Sequence, residues 1–503
     1  EAYYDFLCKL ILDDEGNTRF FEREVAAEVP VYVDSNGNVT TVASDGVGEP
    51  IGYIPAVLIT EGETSMVDVP LVLTTTANNG STTFPGFTSA DNDTIVAGTL
   101  DLLHGATLDG GLGVNTLEVD AKGHFAQPKE LSNIQYINIH NLPNIYTLND
   151  QDNSSDYPDV VENSGGEADS ILDLSRAVDL VNVTITEGDY DYLDAYNADP
   201  GAIVVTGLRN DATLTLQGHF DEDVYVRTGA GFSGDGFTVN LENVNAEGYL
   251  YIADNSAKLN LVSNGGGNNI YEVGYYDDNR VTDLVISGDA HLFIEQGLDE
   301  FMEDYSPVTI DASANTGGVD LNMDDYNQGI TFIGSEGNDR VSFDAYDESG
   351  TSEGPDYGDD AFLIVVNTKG DNYYDSYSPG TLTHTDGDGN NILKYDVGGA
   401  VVSLGNGNNT VAMEVTELDL TVGDGDNFID IDTSGYTDTY INKERFDENI
   451  KIVAGDGANE ICVDIDDQFS DDVAIVDITA GDGGNIIKVE SSNGDEQVDV
   501  TVN

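Results

Sequence analysis

A glycine–asparagine turn that returns at a fixed interval constrains this chain more than any other feature. Gly387-Asp388-Gly389-Asn390-Asn391 is followed by Gly405-Asn406-Gly407-Asn408-Asn409 and then by Gly423-Asp424-Gly425-Asp426-Asn427. The first glycines are 18 residues apart in both steps (405 − 387 and 423 − 405). Two further copies, Gly455-Asp456-Gly457-Ala458-Asn459 and Gly481-Asp482-Gly483-Gly484-Asn485, come after longer intervals. A fixed period means one structural unit stacked on copies of itself. A period of 18 is twice nine, which suits a coil of two strand-plus-turn halves. The spacing therefore predicts an all-β fold: an elongated β-solenoid or β-roll over the C-terminal part, stacked with other β-rich domains.

The residues between the turns agree. Val181-Asn182-Val183-Thr184-Ile185 and Thr213-Leu214-Thr215-Leu216 alternate apolar and polar side chains, the signature of a half-buried strand. An aliphatic residue stands two positions after each turn asparagine (Leu393, Val411, Ile429, Ile461, Ile487) and is expected to point inward. Nine residues after Gly387 comes Asp396, with Gly398-Gly399 behind it, which reads as a second, degenerate turn of the same coil. Glu414 and Asp432 occupy the corresponding points of the next two coils without paired glycines, so one edge of the solenoid is expected to be regular and the other not. Three segments are expected: an N-terminal arm or small domain over 1–70, a β-rich region with turn repeats over 71–330, and the roll-like repeat domain over 331–503. Leu298 to Tyr305 is the best candidate for a short helix.

Charge narrows the function. With 95 acidic residues against 17 basic ones, the formal charge is −78. Such a charge opposes compaction by self-repulsion and calls for neutralising cations. It excludes nucleic acid, whose binding needs basic stripes, and it disfavours anionic membranes. No apolar run is long enough to span a bilayer. Cys8 and Cys462, far apart in the chain, form no disulfide framework or zinc signature.

In these turns the glycines permit left-handed backbone and expose convergent carbonyl oxygens. Asp388, Asp424, Asp426, Asp456 and Asp482 add carboxylates, and Asn391, Asn409, Asn427, Asn459 and Asn485 close each turn with a neutral oxygen. Asp339 keeps an acid at that last position, in Gly334-Ser335-Glu336-Gly337-Asn338-Asp339. Asp109 and Asn115 belong to an earlier turn that follows Asp91-Asn92-Asp93-Thr94-Ile95, and Asn269 closes Gly265-Gly266-Gly267-Asn268-Asn269. Oxygen-rich sets of this kind suit Ca2+, which takes six to eight oxygen ligands. The other reading is a plain solenoid turn, with the asparagines forming a side-chain ladder.

Taken together, these motifs resemble RTX-type bacterial surface-layer proteins and their secreted relatives, over residues of about 80–140 and 280–500. The resemblance implies export to the cell surface, calcium-dependent folding, and self-assembly into a surface layer or extracellular filament, with copies of the chain and cell-surface polysaccharide as the expected partners. Asparagine in place of the acid lowers the charge of each turn site. Catalysis is not expected: the six histidines include no pair spaced for a zinc-protease helix, and no Gly-x-Ser-x-Gly elbow occurs. Two other readings stay open. One is a calcium-stabilised adhesin or biofilm matrix protein that holds glycans on tyrosines such as Tyr190, Tyr275, Tyr373 and Tyr374. The other is an acidic protein adapted to salt.

Overall fold

The computed structural model describes residues 92–121, 125–141, 170–187, 202–221, 223–232, 236–253, 258–275, 282–297, 308–323, 329–344, 362–433, 449–465, 473–491 and 497–503. It also describes six short strands nearer the N-terminus: β1 (Leu10–Leu12), β2 (Thr18–Phe20), β3 (Glu28–Val33), β4 (Val39–Thr40), β5 (Gly52–Pro55) and β6 (Leu71–Leu73). The chain divides into two compact units, Glu1–Gly234 and Asp235–Asn503. The boundary expected near 330 instead falls where both ladders of the second unit run on. Nearly all described structure is strand. The helix expected at Leu298 to Tyr305 lies outside the described residues. Among the described residues no helix is long and apolar enough to cross a membrane.

In the first unit, β3 pairs with β4 and β5, and β5 with β6, all antiparallel. Parallel pairing then takes over. One ladder runs through β7 (Thr94–Ala97), β9 (Thr116–Ala121), β12 (Tyr136–Asn141), β14 (Asn182–Glu187) and β16 (Thr213–Phe220). A second runs through β10 (Phe125–Ala126), β13 (Ser170–Asp173), β15 (Ile203–Asn210) and β17 (Val224–Phe232). A short third ladder joins β8 (Thr107–Asp109) to β11 (Glu130–Ser132).

The second unit begins with β18 (Phe237–Ala253), β19 (Lys258–Asn264), β20 (Asn268–Tyr275), β21 (Asp283–Gly288), β22 (Leu292–Gly297) and β23 (Val308–Asn315). It continues through β24 (Val319–Met323), β25 (Ile330–Ile333), β26 (Arg340–Asp344), β27 (Phe362–Val366), β28 (Tyr373–Thr385), β29 (Ile392–Leu404) and β30 (Thr410–Val422). β31 (Phe428–Asp432), β32 (Asn449–Ala454), β33 (Glu460–Ile465), β34 (Val473–Ala480), β35 (Ile486–Ser491) and β36 (Gln497–Val502) complete it. These strands form two parallel ladders. Ladder A takes β19, β21, β23, β25, β27, the second halves of β28, β29 and β30, then β32, β34 and β36. Ladder B takes β20, β22, β24, β26, the first halves of β28, β29 and β30, then β31, β33 and β35.

The period follows from this. Thr410 pairs with Ile392 and with Phe428, 18 residues away on either side. Phe428 then pairs with Glu460, and Glu460 with Ile486, offsets of 32 and 26. The additional 14 and 8 residues fall between Asp432 and Asn449 and between Asp464 and Ile475, the steps from ladder B to ladder A. Every passage from A to B is instead a tight turn, so the expectation of one regular edge holds. The second glycine turn expected at Gly398-Gly399 does not form: β29 runs unbroken through it.

The core is a set of side-chain columns. Ile270, Ile294, Leu321, Val341, Tyr374, Leu393, Val411, Ile429 and Ile461 occupy one inward column of ladder B in register. Each is at most 1% exposed, and each such aliphatic burial contributes about 1.5–3 kcal/mol. Ile487, the fifth expected inward residue, is half-buried on β35. Tyr374 belongs to this column, which rules it out as a glycan-holding surface residue. Period two turns Tyr373 outward and Tyr374 in.

Candidate functional site

The turns of the regular edge carry three hydrogen-bond ladders. The innermost is built by the closing asparagine. Asn409 Oδ1 accepts from the backbone N–H of Asn391 at 3.1 Å, and Asn427 Oδ1 accepts from that of Asn409 at 3.1 Å. The same link joins Asn427 to Asn459 and Asn459 to Asn485. On the N-terminal side it continues from Asn391 to Asn372, from Asn372 to Asp339, and from Asp339 to Val319. A backbone N–H can only donate, so these contacts fix which amide atom is oxygen.

The amide nitrogens therefore face the turn carbonyls. Asn427 Nδ2 donates to the carbonyls of Gly423 and Gly425 at 3.2 and 3.0 Å and to Asn459 Oδ1 at 2.8 Å. Asn409 Nδ2 does the same with Gly405, Gly407 and Asn427, and Asn459 with Gly455, Gly457 and Asn485. Asn485 Nδ2 reaches Gly481, and Asn391 Nδ2 reaches Gly389. The oxygens that would surround a cation here are taken by amide N–H groups. Asn391, Asn409, Asn427 and Asn459 are at most 2% exposed.

The two outer ladders run in the opposite sense. Asp388 Oδ1 accepts from the backbone N–H of Asn406, Asn406 Oδ1 from Asp424, Asp424 from Asp456, and Asp456 from Asp482. Likewise Asn390 serves Asn408, Asn408 serves Asp426, and Asp426 serves Ala458. Asp388, Asp424, Asp426, Asp456 and Asp482 are all exposed. The second glycine of the first four turns (Gly389, Gly407, Gly425 and Gly457) is required by both angle and space. Gly407 has φ 141°, and a Cβ there would stand 1.9 Å from the carbonyl oxygen of Gly389.

The remaining turn residues depart from the pattern. Asp339 is buried and accepts from Val319 N–H, Ser335 N–H, Ser335 Oγ and Asn367 Nδ2. Burial pushes its carboxyl upward, and those hydrogen bonds hold it down. Asn372, in a turn with a single glycine, was missed by the paired-glycine pattern. In the triple-glycine turn the buried asparagine is Asn268, whose Oδ1 accepts from Val244 N–H, while Asn269 faces outward. In the first unit Asn115 is fully buried. Its Oδ1 accepts from Asp93 N–H and its Nδ2 donates to the Asn133 carbonyl. Asp109 Oδ1 accepts from Gly111 N–H and from Asn133 Nδ2. On the same unit His140 bridges Glu118 Oε2 at 2.7 Å and Thr186 Oγ1 at 3.0 Å, tying three adjacent strands together.

A carboxylate column lies on the outward side of ladder B. Asp396, Glu414, Asp432, Asp464 and Glu490 are in direct register on successive strands. The first three are 18 apart, so the period held the signal. Strand spacing of about 4.8 Å sets their separation. Burial and, next, the neighbouring Glu414 push the Asp396 carboxyl up to about 6. Lys488 meets Glu490 at 2.6 Å. Cys462 lies half-buried on β33, and Cys8 lies outside the described residues.

No family model matches the chain, and neither the curated proteins nor the solved structures searched contain a match.

Proposed function

We propose that this chain is a secreted structural solenoid whose outward carboxylates gather Ca2+. The ions would hold coils, and then copies of the chain, together in a surface layer or extracellular filament. The observation that carries the reading is the column Asp396–Glu414–Asp432–Asp464–Glu490. Like charges stacked at about 4.8 Å repel unless a cation sits among them, and hard divalent ions prefer carboxylate oxygen. The exposed Asp424, Asp456 and Asp482 make a second acidic row along the turn edge. In this reading calcium belongs on the outside of the coils, because the asparagine amides already satisfy the turn carbonyls within. The glycine–asparagine turns support the resemblance to RTX-type surface-layer proteins at the level of the coil.

The test is light scattering during a calcium titration of chelator-treated protein at constant ionic strength, with magnesium as control. A steep size increase with calcium is expected, and Asp432→Asn with Asp464→Asn should blunt it. A flat wild-type trace ends the reading.

One observation favours a glycan-holding surface as the second reading. Tyr249 stacks on Tyr251 with centroids 5.2 Å apart and meets Tyr271 edge-on at 5.3 Å. All three are half-buried and together present an aromatic face suited to sugar rings. Glycan-array binding by a non-assembling monomer, lost in Tyr271→Ala, would favour this reading.

A further inference from the structure

The outward side of ladder B carries a second column beside its carboxylates. Ile392, Thr410, Phe428, Glu460 and Ile486 are in direct register on β29, β30, β31, β33 and β35. Strand alternation turns these residues out and their buried neighbours, such as Leu393 and Ile429, inward. Thr410 and Glu460 show that the position accepts polar side chains. Ile392, Phe428 and Ile486 are nevertheless apolar, and they stand 38%, 41% and 62% exposed. Large apolar side chains aligned in water mark contact surfaces more often than scattered ones do.

Carboxylates rim this strip on both sides. Each apolar residue is followed four residues later on its strand, roughly 13 Å away, by an acid: Ile392 by Asp396, Phe428 by Asp432, Ile486 by Glu490. On its other side the strip meets the turn edge, where Asp424, Asp426, Asp456 and Asp482 are exposed. Two lysines lie between the columns. Lys488 meets Glu490 at 2.6 Å, and Lys394 Nζ sits over the Tyr373 ring at 5.4 Å. They leave both rims acidic. A second copy offering the same face would set carboxylates against carboxylates, and an anionic lipid surface is repelled in the same way. The charge calls for a basic partner.

We propose that this face docks a basic amphipathic helix of a partner protein. Its apolar stripe would lie on Ile392, Phe428 and Ile486, with Lys and Arg residues turned to the two acidic rims. The spacing suits a helix lying along the column. Ile392 to Phe428 and Phe428 to Ile486 each span two strand spacings, about 9.6 Å, against about 10.8 Å for two helical turns. The column runs about 19 Å, the length of about 13 helical residues. A helix is about 10–12 Å across, and the long stems of flanking Lys and Arg extend beyond that width toward the rims. Apolar anchors on one helical face then give affinity, and the rims give orientation. The proposal does not depend on the calcium reading: calcium needs only the carboxylates, whereas the helix needs the apolar column as well.

The experiment titrates the full chain, in chelator at about 0.15 M salt, with a labelled Leu/Lys peptide of about 14 residues whose leucines fall on one helical face. Fluorescence anisotropy reads binding, and far-UV circular dichroism reads the peptide's folding. A scrambled peptide of the same composition carries the same charge without the stripe. Wild type is expected to bind the striped peptide about tenfold or more tightly than the scrambled one and to turn it helical. Ile392→Thr with Phe428→Thr, at exposed positions where Thr suits a strand, should erase that preference and leave the scrambled peptide's affinity unchanged. Equal affinity of wild type for both peptides, or a preference that survives the double substitution, overturns the proposal. So does a double variant whose only change is weaker self-association in sedimentation, which would give the face to a second copy.

Discussion

Asn409 is at once an acceptor for the coil before it and a donor to its own turn and the coil after it. Asn409→Ala strips several buried groups of partners, so a loss of about 2–3 kcal/mol in urea denaturation is expected. Asn409→Asp is more informative. The carboxylate keeps the acceptor but sets a charge against the Gly405 and Gly407 carbonyls and Asn427 Oδ1, an oxygen set that fits a cation. The variant should be less stable than wild type in chelator and should regain its melting temperature with calcium by a larger shift than wild type shows. Equal shifts would mean the native turn already holds the ion. The sequence placed this residue correctly, through period and glycine spacing. It could not say whether amide oxygen or amide nitrogen faces the turn, because that depends on which backbone N–H of the next coil points at it. Gly407 is simpler. Gly407→Ala drives a Cβ into the Gly389 carbonyl, and a loss on the order of 2–3 kcal/mol is expected from the same assay.

Strands in this fold are legible where sequence period and coil period coincide. The inward column from Leu393 to Ile461 follows from one rule, two residues past the asparagine, because each turn has the same length. The rule fails by one residue at Asn268, where three consecutive glycines let the strand start early. It also misleads at Gly398-Gly399. A Cβ at Gly399 would meet nothing closer than Glu417 Cβ at 3.9 Å, so no close contact demands glycine there and the strand continues. Two residues before Gly398, β29 carries Asp396 into the carboxylate column, where its carboxyl is partly desolvated. Its carboxyl titrates near 6 when folded and near the ordinary 3.8 when unfolded. The folded state thus binds more protons between those values, and stability falls as pH rises through that window. Above pH 6 the penalty is fully present, and it is relieved as pH falls toward 4. In chelator, Asp396→Asn removes it and should stabilise the protein at pH 7 by on the order of 1 kcal/mol, after discounting for partial exposure, with no gain at pH 4. Urea midpoints of both proteins across that range check the sign; a gain that persists at pH 4 would point to packing and not charge.

A formal charge of −78 distributed over stacked coils can be met in two ways, and distance separates them. Neighbouring carboxylates in a column are about 4.8 Å apart. The screening length is about 10 Å at 0.1 M salt, so a diffuse atmosphere of monovalent ions scarcely weakens the repulsion between them. It acts mainly on charges on different faces. A cation seated between two carboxylates cancels the short-range part directly. Calcium at millimolar concentration should therefore raise the melting temperature of chelator-treated protein well beyond potassium chloride at equal ionic strength. The excess should shrink when Glu414→Gln, Asp432→Asn and Asp464→Asn thin the column. Potassium chloride matching calcium throughout would mean that the charge is an adaptation to salt, and calcium-gated assembly would lose its basis.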